Sequence, residues 1–288
     1  MKILVFIQVD DNKINKMSLE ALKCGQELTN DVSAITFNED AANELSNYKL
    51  KEVIFAKNVN LNDYNPLNYT TAFESLVDES CNAMLFAHTY ETRDWVPRLS
   101  ARVNYPFIAD CMALNNNNNS LIITRQTYQG KLNNDFEINS NVFCSIQSGS
   151  FKADNLEKGT TEITIVPIEL GDINNTIRAE EKFKEQKGGV DLSSADLIVS
   201  VGRGIAKEEN IPLAQELTDL LNAELGSSRP IVDYGWLPHD RQIGSSGQVV
   251  SPKLYFSLGV SGAIQHQVGM KGSDKIMAIN KDGNAPIF

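Results

Sequence analysis

Cysteine is scarce in this chain of 288 residues: Cys24, Cys81, Cys111 and Cys144 stand 30 or more residues apart. No CxxC occurs, so neither a zinc knuckle nor an iron–sulfur cluster is indicated. Their scatter through apolar runs predicts reduced, mostly buried thiols. Long hydrophobic runs are missing too. The opening MKILVFIQV has strand length, and no later run reaches the roughly 20 residues of a membrane span. No basic, acid-poor leader stands ahead of it, so a cytoplasmic protein that is not membrane-embedded is expected. Positive charge is in short supply, with 26 Lys and Arg against 37 Asp and Glu and a net charge of -11. A general nucleic-acid binder needs clustered cations, so nucleic acid is not an expected partner. There is no Walker A pattern, which argues against ATP hydrolysis. No Ser–His–acid order and no metal-ligand set emerges, so no catalytic residue and no metal are assigned.

At 42% hydrophobic, the chain buries sizeable cores, and its length suggests two domains. The first half alternates strands and helices. Ile3–Val9, Val32–Phe37, Lys51–Ala56 and Ala83–Ala87 read as strands. Ser18–Leu28, Tyr69–Val77 and Glu91–Val103 read as helices. This alternation means a largely parallel sheet wrapped by helices. Beyond Phe107 the helices stop. The five asparagines Asn115–Asn119 predict a surface loop or hairpin. Leu121–Arg125, Val142–Ile146 and Glu162–Ile168 follow as strands, so the sheet is expected to finish with antiparallel additions.

The charged stretch 173–189 reads as the exit from a first domain, 1–186. A second αβ pattern, 187–288, starts near Asp191, where Ser193 or Ser194 suits a helix cap. Leu197–Val201 is a predicted strand and Ile211–Leu225 a helix. Ile231–Val232 and Leu254–Leu258 are short strands, Gln265–Met270 a short helix and Ile276–Ile279 a final strand.

Five polar clusters fall within this second domain. Gly202-Arg203-Gly204 follows a strand directly, where glycine lets backbone approach a ligand or simply makes a tight turn. In Ser228-Arg229-Pro230 the proline is expected to hold the arginine extended. Gln242–Gly247 brackets two hydroxyls with glycines, suiting either a turn or a donor loop for an anion or a heteroaromatic edge. Gly259–Gly262 is expected to open a helix and expose its first N–H groups to an anion, with His266 one turn in. Ile279-Asn280-Lys281-Asp282 places polar residues at a strand's carboxyl end. Together they indicate a nucleotide or dinucleotide site, without naming the cofactor.

The segment Ser227–Phe288 carries SRP, GVSGAIQH and INKD in that order, and KGGVDLSSADLIVSVGRGI precedes it. It resembles the FAD-binding domain of the electron transfer flavoprotein alpha subunit. The resemblance spans the chain, though in the first half only HTYETRDWVPRLSARV carries it. It implies a Rossmann-like (DHS-like) FAD-binding domain at 187–288 and an N-terminal α/β domain that contacts a beta subunit. It also implies a heterodimeric redox carrier rather than an enzyme. Such a carrier takes electrons one at a time from flavin dehydrogenases, such as acyl-CoA dehydrogenases. It passes them to a membrane quinone oxidoreductase.

Carried over residue by residue, Arg203 and Ser228 would contact the FAD, and Arg229 would lie beside the isoalloxazine. Ile243, Gly244, Ser245 and Ser246 would line the ring, with the Ser246 hydroxyl near N5. Ser261, Gly262, Ala263, Ile264, Gln265 and His266 would run along the cofactor, His266 toward its pyrimidine end. Asn280 would hold the nucleotide side. A cation, a helix start and a donor all favour added negative charge on the ring.

Three departures are visible. Ser245 and Ser246 stand where Gln-Thr is common, so the loop is expected to be looser. Gln147 stands where an arginine is common. Family members continue past the position of Phe288 with residues that touch the adenosine part, so weaker FAD retention is expected without them. Two other readings stay open. One is a flavin- or nicotinamide-dependent oxidoreductase. The other is a cofactor-free scaffold, should the shorter C-terminus abolish FAD binding.

Overall fold

The computed structural model describes residues 1–77, 79–117, 120–128, 130–171, 177, 190 and 192–288. The chain divides into two compact units. Met1–Gln126 with Asn133–Lys182 form one, and Thr127–Leu132 with Phe183–Phe288 form the other. The expected domain exit at 173–189 and the expected start at Asp191 lie outside the described residues, apart from Ile177.

The first unit begins with β1 (Ile3–Phe6), the short pair β2 (Val9–Asp10) and β3 (Lys13–Ile14), and α1 (Lys16–Leu28). β4 (Val32–Thr36), α2 (Glu39–Leu45), β5 (Glu52–Lys57), α3 (Pro66–Glu74), β6 (Ala83–Ala87) and α4 (Tyr90–Val103) continue the alternation. Five strands follow: β7 (Phe107–Asn117), β8 (Ser120–Thr127), β9 (Leu132–Ile138), β10 (Val142–Ile146) and β11 (Ile163–Pro167). The sheet order is β11-β5-β4-β1-β6-β10-β7-β8-β9.

The run ILVF buries both faces of β1. Ile3 and Val5 join one core cluster with Leu22 and Leu85, while Leu4 and Phe6 join the other with Phe73 and Trp95. Alternation across a doubly covered strand requires this apolar continuity. The helices start earlier than apolar periodicity alone suggests. Asn15, Asn65 and Thr89 accept hydrogen bonds from first-turn N–H groups, and Pro66 opens α3. All four cysteines are buried thiols.

Only part of the antiparallel finish appears. β8 runs antiparallel to β7. β10 instead inserts between β6 and β7, parallel to both, and β11 lies parallel to β5 at the far edge. The α4 crossover makes β6 and β7 run the same way, so a strand placed between them takes their direction. A strand that returns across a sheet is not bound to the direction of its chain neighbour.

The second unit contains β12 (Leu197–Val201), α5 (Ile211–Leu221), β13 (Glu224–Ser227), α6 (Arg229–Asp233), β14 (Leu254–Leu258), α7 (Ile264–Met270) and β15 (Ile276–Ile279). Its sheet, β13-β12-β14-β15, is parallel throughout. The two units together give the expected mixed α/β class. Two local expectations are corrected. The helix ends at Leu221, because Asn222 takes a left-handed C-cap (φ 49°), and the next strand is Glu224–Ser227. Ile231–Val232 lies inside α6 and not in a strand.

Side chains of β12 and β14 sort by face. Ile198 and Tyr255 join one cluster with Ile243 and Met270, and Val199 and Val201 join the other with Ile231. Parallel register pairs Ile198 with Tyr255 and Ser200 with Ser257, so all four share the first face.

A polar rim at the carboxyl ends of the second sheet

β12 and β14 are neighbours, yet the chain leaves them in opposite directions, to β13 on one side and β15 on the other. Ligands of open αβ sheets bind at such a switch point, outside the strand carboxyl ends. Here the loops after the two strands are stitched together. The Gly202 N–H donates to the Leu258 carbonyl and the Gly204 N–H to the Gly259 carbonyl, both at 2.8 Å. A Cβ on Gly204 would stand 2.7 Å from Gly259 Cα, so this pair must be bare for the loops to touch. The close backbone approach expected at Gly202–Gly204 is therefore made to the neighbouring loop. Arg203, between them, is exposed.

After β13, Ser228 is buried and extended, and its N–H donates to the Val201 carbonyl (3.0 Å). Arg229 is the first residue of α6, which corrects the expectation of an extended arginine. Pro230 lacks an N–H that the first turn of a helix does not use. The Arg229 side chain is 68% exposed, with Nε 3.4 Å from Asp233.

The loop after α6 is tied at several points. The Ile243 N–H donates to the Ser227 carbonyl (2.8 Å) and the Ser245 N–H to the Gln265 carbonyl (2.7 Å). The Ile243 side chain, expected to line the ring, points into the core and leaves only its backbone at the rim. Gly244 is buried, while Ser245 and Ser246 are exposed. The expected loosening from Ser245 is offset by Gln242, whose Nε2 donates to Ser246 Oγ (3.0 Å).

Gly259–Gly262 lie ahead of α7, whose first helical residue is Ile264. They do not themselves supply the helix's first N–H groups, as was expected. Gly262 turns at φ 77° to pass the backbone of Ile287. Ser261, Ala263, Ile264 and Gln265 are exposed. His266 is buried at 6% exposure, with Nε2 2.8 Å from the Tyr255 hydroxyl. Its Nδ1 is enclosed and lacks a hydrogen-bond partner among the described residues. Burial lowers its pKa to about 4, with the Ile243 carbonyl opposing, so the imidazole is neutral near pH 7. Asn280 donates from Nδ2 to the Val260 carbonyl (2.9 Å) and accepts the Asp282 N–H (3.0 Å). It braces the Gly259–Gly262 loop.

The rim thus unites four of the five clusters by backbone bonds and the Asn280 side chain. The Arg229 side chain pairs only within α6. Sequence reasoning missed Tyr255 and the pair Ser200 and Ser257, whose Oγ atoms are buried and without partners of hydrogen-bond geometry among the described residues. The apolar run of β14 hid the tyrosine. An aromatic at strand spacing gives no sign of what its hydroxyl meets.

Fit to a flavin nucleotide rests on two observations. The loops at the switch point are bare of side chains at Gly204, Gly259 and Gly262, where they pack against neighbouring backbone, and His266 of the same rim keeps a buried ring nitrogen without a partner of hydrogen-bond geometry among the described residues. No helix among the described residues is long and apolar enough to cross a membrane, and no metal-binding cluster occurs among them.

Comparison with known proteins gives two family matches. Residues 3–170 match the electron transfer flavoprotein domain, and residues 191–271 match the electron transfer flavoprotein FAD-binding domain. The electron transfer flavoprotein subunit alpha of Bacillus subtilis (strain 168) is 32% identical, over 100% of this chain and 90% of the relative. That of Syntrophomonas wolfei is 32% identical, over 99% and 91%. Protein FixB of Clostridium saccharobutylicum is 32% identical, over 99% and 88%. The chain therefore belongs to the electron transfer flavoprotein alpha family, and its second unit carries that family's FAD-binding domain.

Proposed function

We propose that this chain is the FAD-carrying half of a heterodimeric electron carrier of the cytoplasm, completed by a beta subunit. It accepts electrons singly from flavin dehydrogenases, such as acyl-CoA dehydrogenases, and delivers them to a membrane quinone oxidoreductase. The observation that carries the reading is the rim itself. Loops after β12, β13, β14 and β15 converge with the 243–246 loop on one switch point, within the matched FAD-binding domain.

When bound, FAD supplies the redox chemistry. The chain supplies binding and charge compensation. Arg203 and Arg229 are cations on an acidic protein, exposed toward an incoming anion. The Ser228, Ser245 and Ser246 hydroxyls offer donors, while the N–H groups of Ile243, Gly244 and Ser245 are spent on bonds that hold the loop in place. Ser261–Gln265 flank the cofactor, and Asn280 keeps the loop before them in place. His266 stays neutral, so it stabilises added negative charge as a donor and carries no charge of its own.

The test is to co-express the chain with its beta subunit and record visible spectra during stepwise reduction. A flavin spectrum that is reduced in two one-electron stages supports the reading. A colourless heterodimer that fails to take up added FAD overturns it.

Arg229→Ala is expected to lower the first reduction potential of the bound FAD by tens of millivolts. A hydrogen bond to a charged group is worth roughly 1.5–3 kcal/mol, and about 59 mV corresponds to tenfold for one electron. Asp233 neutralises part of the arginine's charge, so the lower end of that range applies. An unchanged potential in a redox titration removes Arg229 from this role.

A further inference from the structure

Among the described residues Tyr255 is the largest fully buried side chain of the second unit, and its hydroxyl reaches the imidazole of His266. β14 brings it there: Tyr255 and Ser257 share the sheet face that α7 covers, and α7 delivers His266 from above. The two rings approach edge-on, at 6.1 Å between centroids. The Tyr255 hydroxyl lies 2.8 Å from His266 Nε2. Only one ring nitrogen of a neutral imidazole carries a proton, and the partner of the other selects which.

We infer that Tyr255 is a positioning residue for His266: its hydroxyl donates to Nε2 and so fixes the imidazole proton on Nδ1. Two features favour that direction. A phenol is a far stronger donor than acceptor, and burial pushes this phenol's pKa up, so it keeps its proton. The Ile243 carbonyl, an acceptor only, acts on the imidazole and favours a protonated nitrogen there. With Nε2 taken by Tyr255, the protonated nitrogen is Nδ1, which feels the Ile243 carbonyl but has no partner of full hydrogen-bond geometry among the described residues. A buried N–H without a well-placed acceptor is costly. That cost is relieved when an acceptor such as a carbonyl of the flavin pyrimidine ring arrives. The opposite tautomer would present a lone pair to that carbonyl and repel it. Tyr255 thus sets the sign of the His266 interaction without touching the cofactor. This last step rests on the proposed placement of His266 toward FAD, whereas the tautomer is a property of the chain alone.

Two readouts separate these layers. Nitrogen-15 NMR of histidine-labelled protein reports the tautomer in the flavin-free chain. The chain has three histidines, and His266→Gln identifies the resonance of interest. The Nδ1–H form is expected in the parent. Tyr255→Phe, which keeps the ring and its packing, is expected to shift the population toward Nε2–H. In the FAD-loaded heterodimer, Tyr255→Phe is expected to weaken uptake of the first electron about tenfold, or about 59 mV. It should add nothing further in a His266→Gln background. An Nε2–H parent, or a Tyr255→Phe protein with parental tautomer and potential, overturns the inference. If Tyr255→Phe changes the tautomer but neither it nor His266→Gln moves the potential, the tautomer assignment stands. The placement of His266 toward FAD is then what fails.

Discussion

Gly259→Ala is expected to destabilise the second unit by roughly 2–5 kcal/mol and to abolish FAD uptake. Two costs add. Gly259 sits at φ 66°, where an L side chain costs roughly 1–2 kcal/mol. The new Cβ would also fall 2.7 Å from the backbone of Gly204 and 2.8 Å from Ile205 N. These are main-chain atoms with no rotamer to escape into, and overpacking typically costs about 1–3 kcal/mol. Relief requires the loops after β12 and β14 to part, which breaks the 2.8 Å bond from Gly204 to Gly259. That separation opens the switch point on which the cofactor reading depends. Native-state hydrogen exchange at the β12 and β14 amides measures the loss. Gly283→Ala is the control, because nothing lies within 4 Å of its added Cβ. Equal protection in the two variants would refute the loop-contact argument.

Glu20→Gln is expected to stabilise the first unit by about 3 kcal/mol at pH 8 and to leave it unchanged near pH 4. Glu20 lies on the buried face of α1 at 3% exposure, and its Oε2 accepts the Gly149 N–H at 2.8 Å. Burial raises its pKa from 4.5 to about 7, opposed by the Gly149 bond and by Lys16. Between those values the native state binds more protons than the unfolded state, so stability falls as pH rises through the window. Above about pH 7 the native protein carries the full cost of a buried carboxylate. The rise from 4.5 to about 7, at about 1.4 kcal/mol per pH unit, gives a little over 3 kcal/mol. Glutamine keeps an oxygen for Gly149 and cannot ionise. Urea unfolding at pH 4, 6 and 8 tests this. A gap between parent and variant that does not widen with pH would show that Glu20 is not held protonated.

Much of the fold was legible wherever an apolar run is unbroken in the sequence. Ala83–Ala87, Val142–Ile146, Leu197–Val201, Leu254–Leu258 and Ile276–Ile279 are strands within the bounds read from their apolar runs. β13 escaped because ELGS is short and half polar, and it is a strand by virtue of its register with β12. α6 was misread because two β-branched residues suggest a strand more strongly than a five-residue helix. At the site, the polar clusters were visible as residue types in order. Their uses within the chain were not. The Ile243 side chain turned inward, Arg229 joined a helix, and Asn280 took up bonds to the loop it braces.

The sequence by itself determined the alternation of strands and helices, the acidic balance of charge, and the motifs that placed the chain in its family. These are properties of composition and of neighbours along the chain, and local propensity and periodicity express them directly. Only the tertiary structure decided that β10 inserts between β6 and β7, that Gly204 meets Gly259, and that Tyr255 meets His266. Each depends on which strands pair and in what register. That choice is made by long-range burial, which leaves no fixed spacing in the sequence.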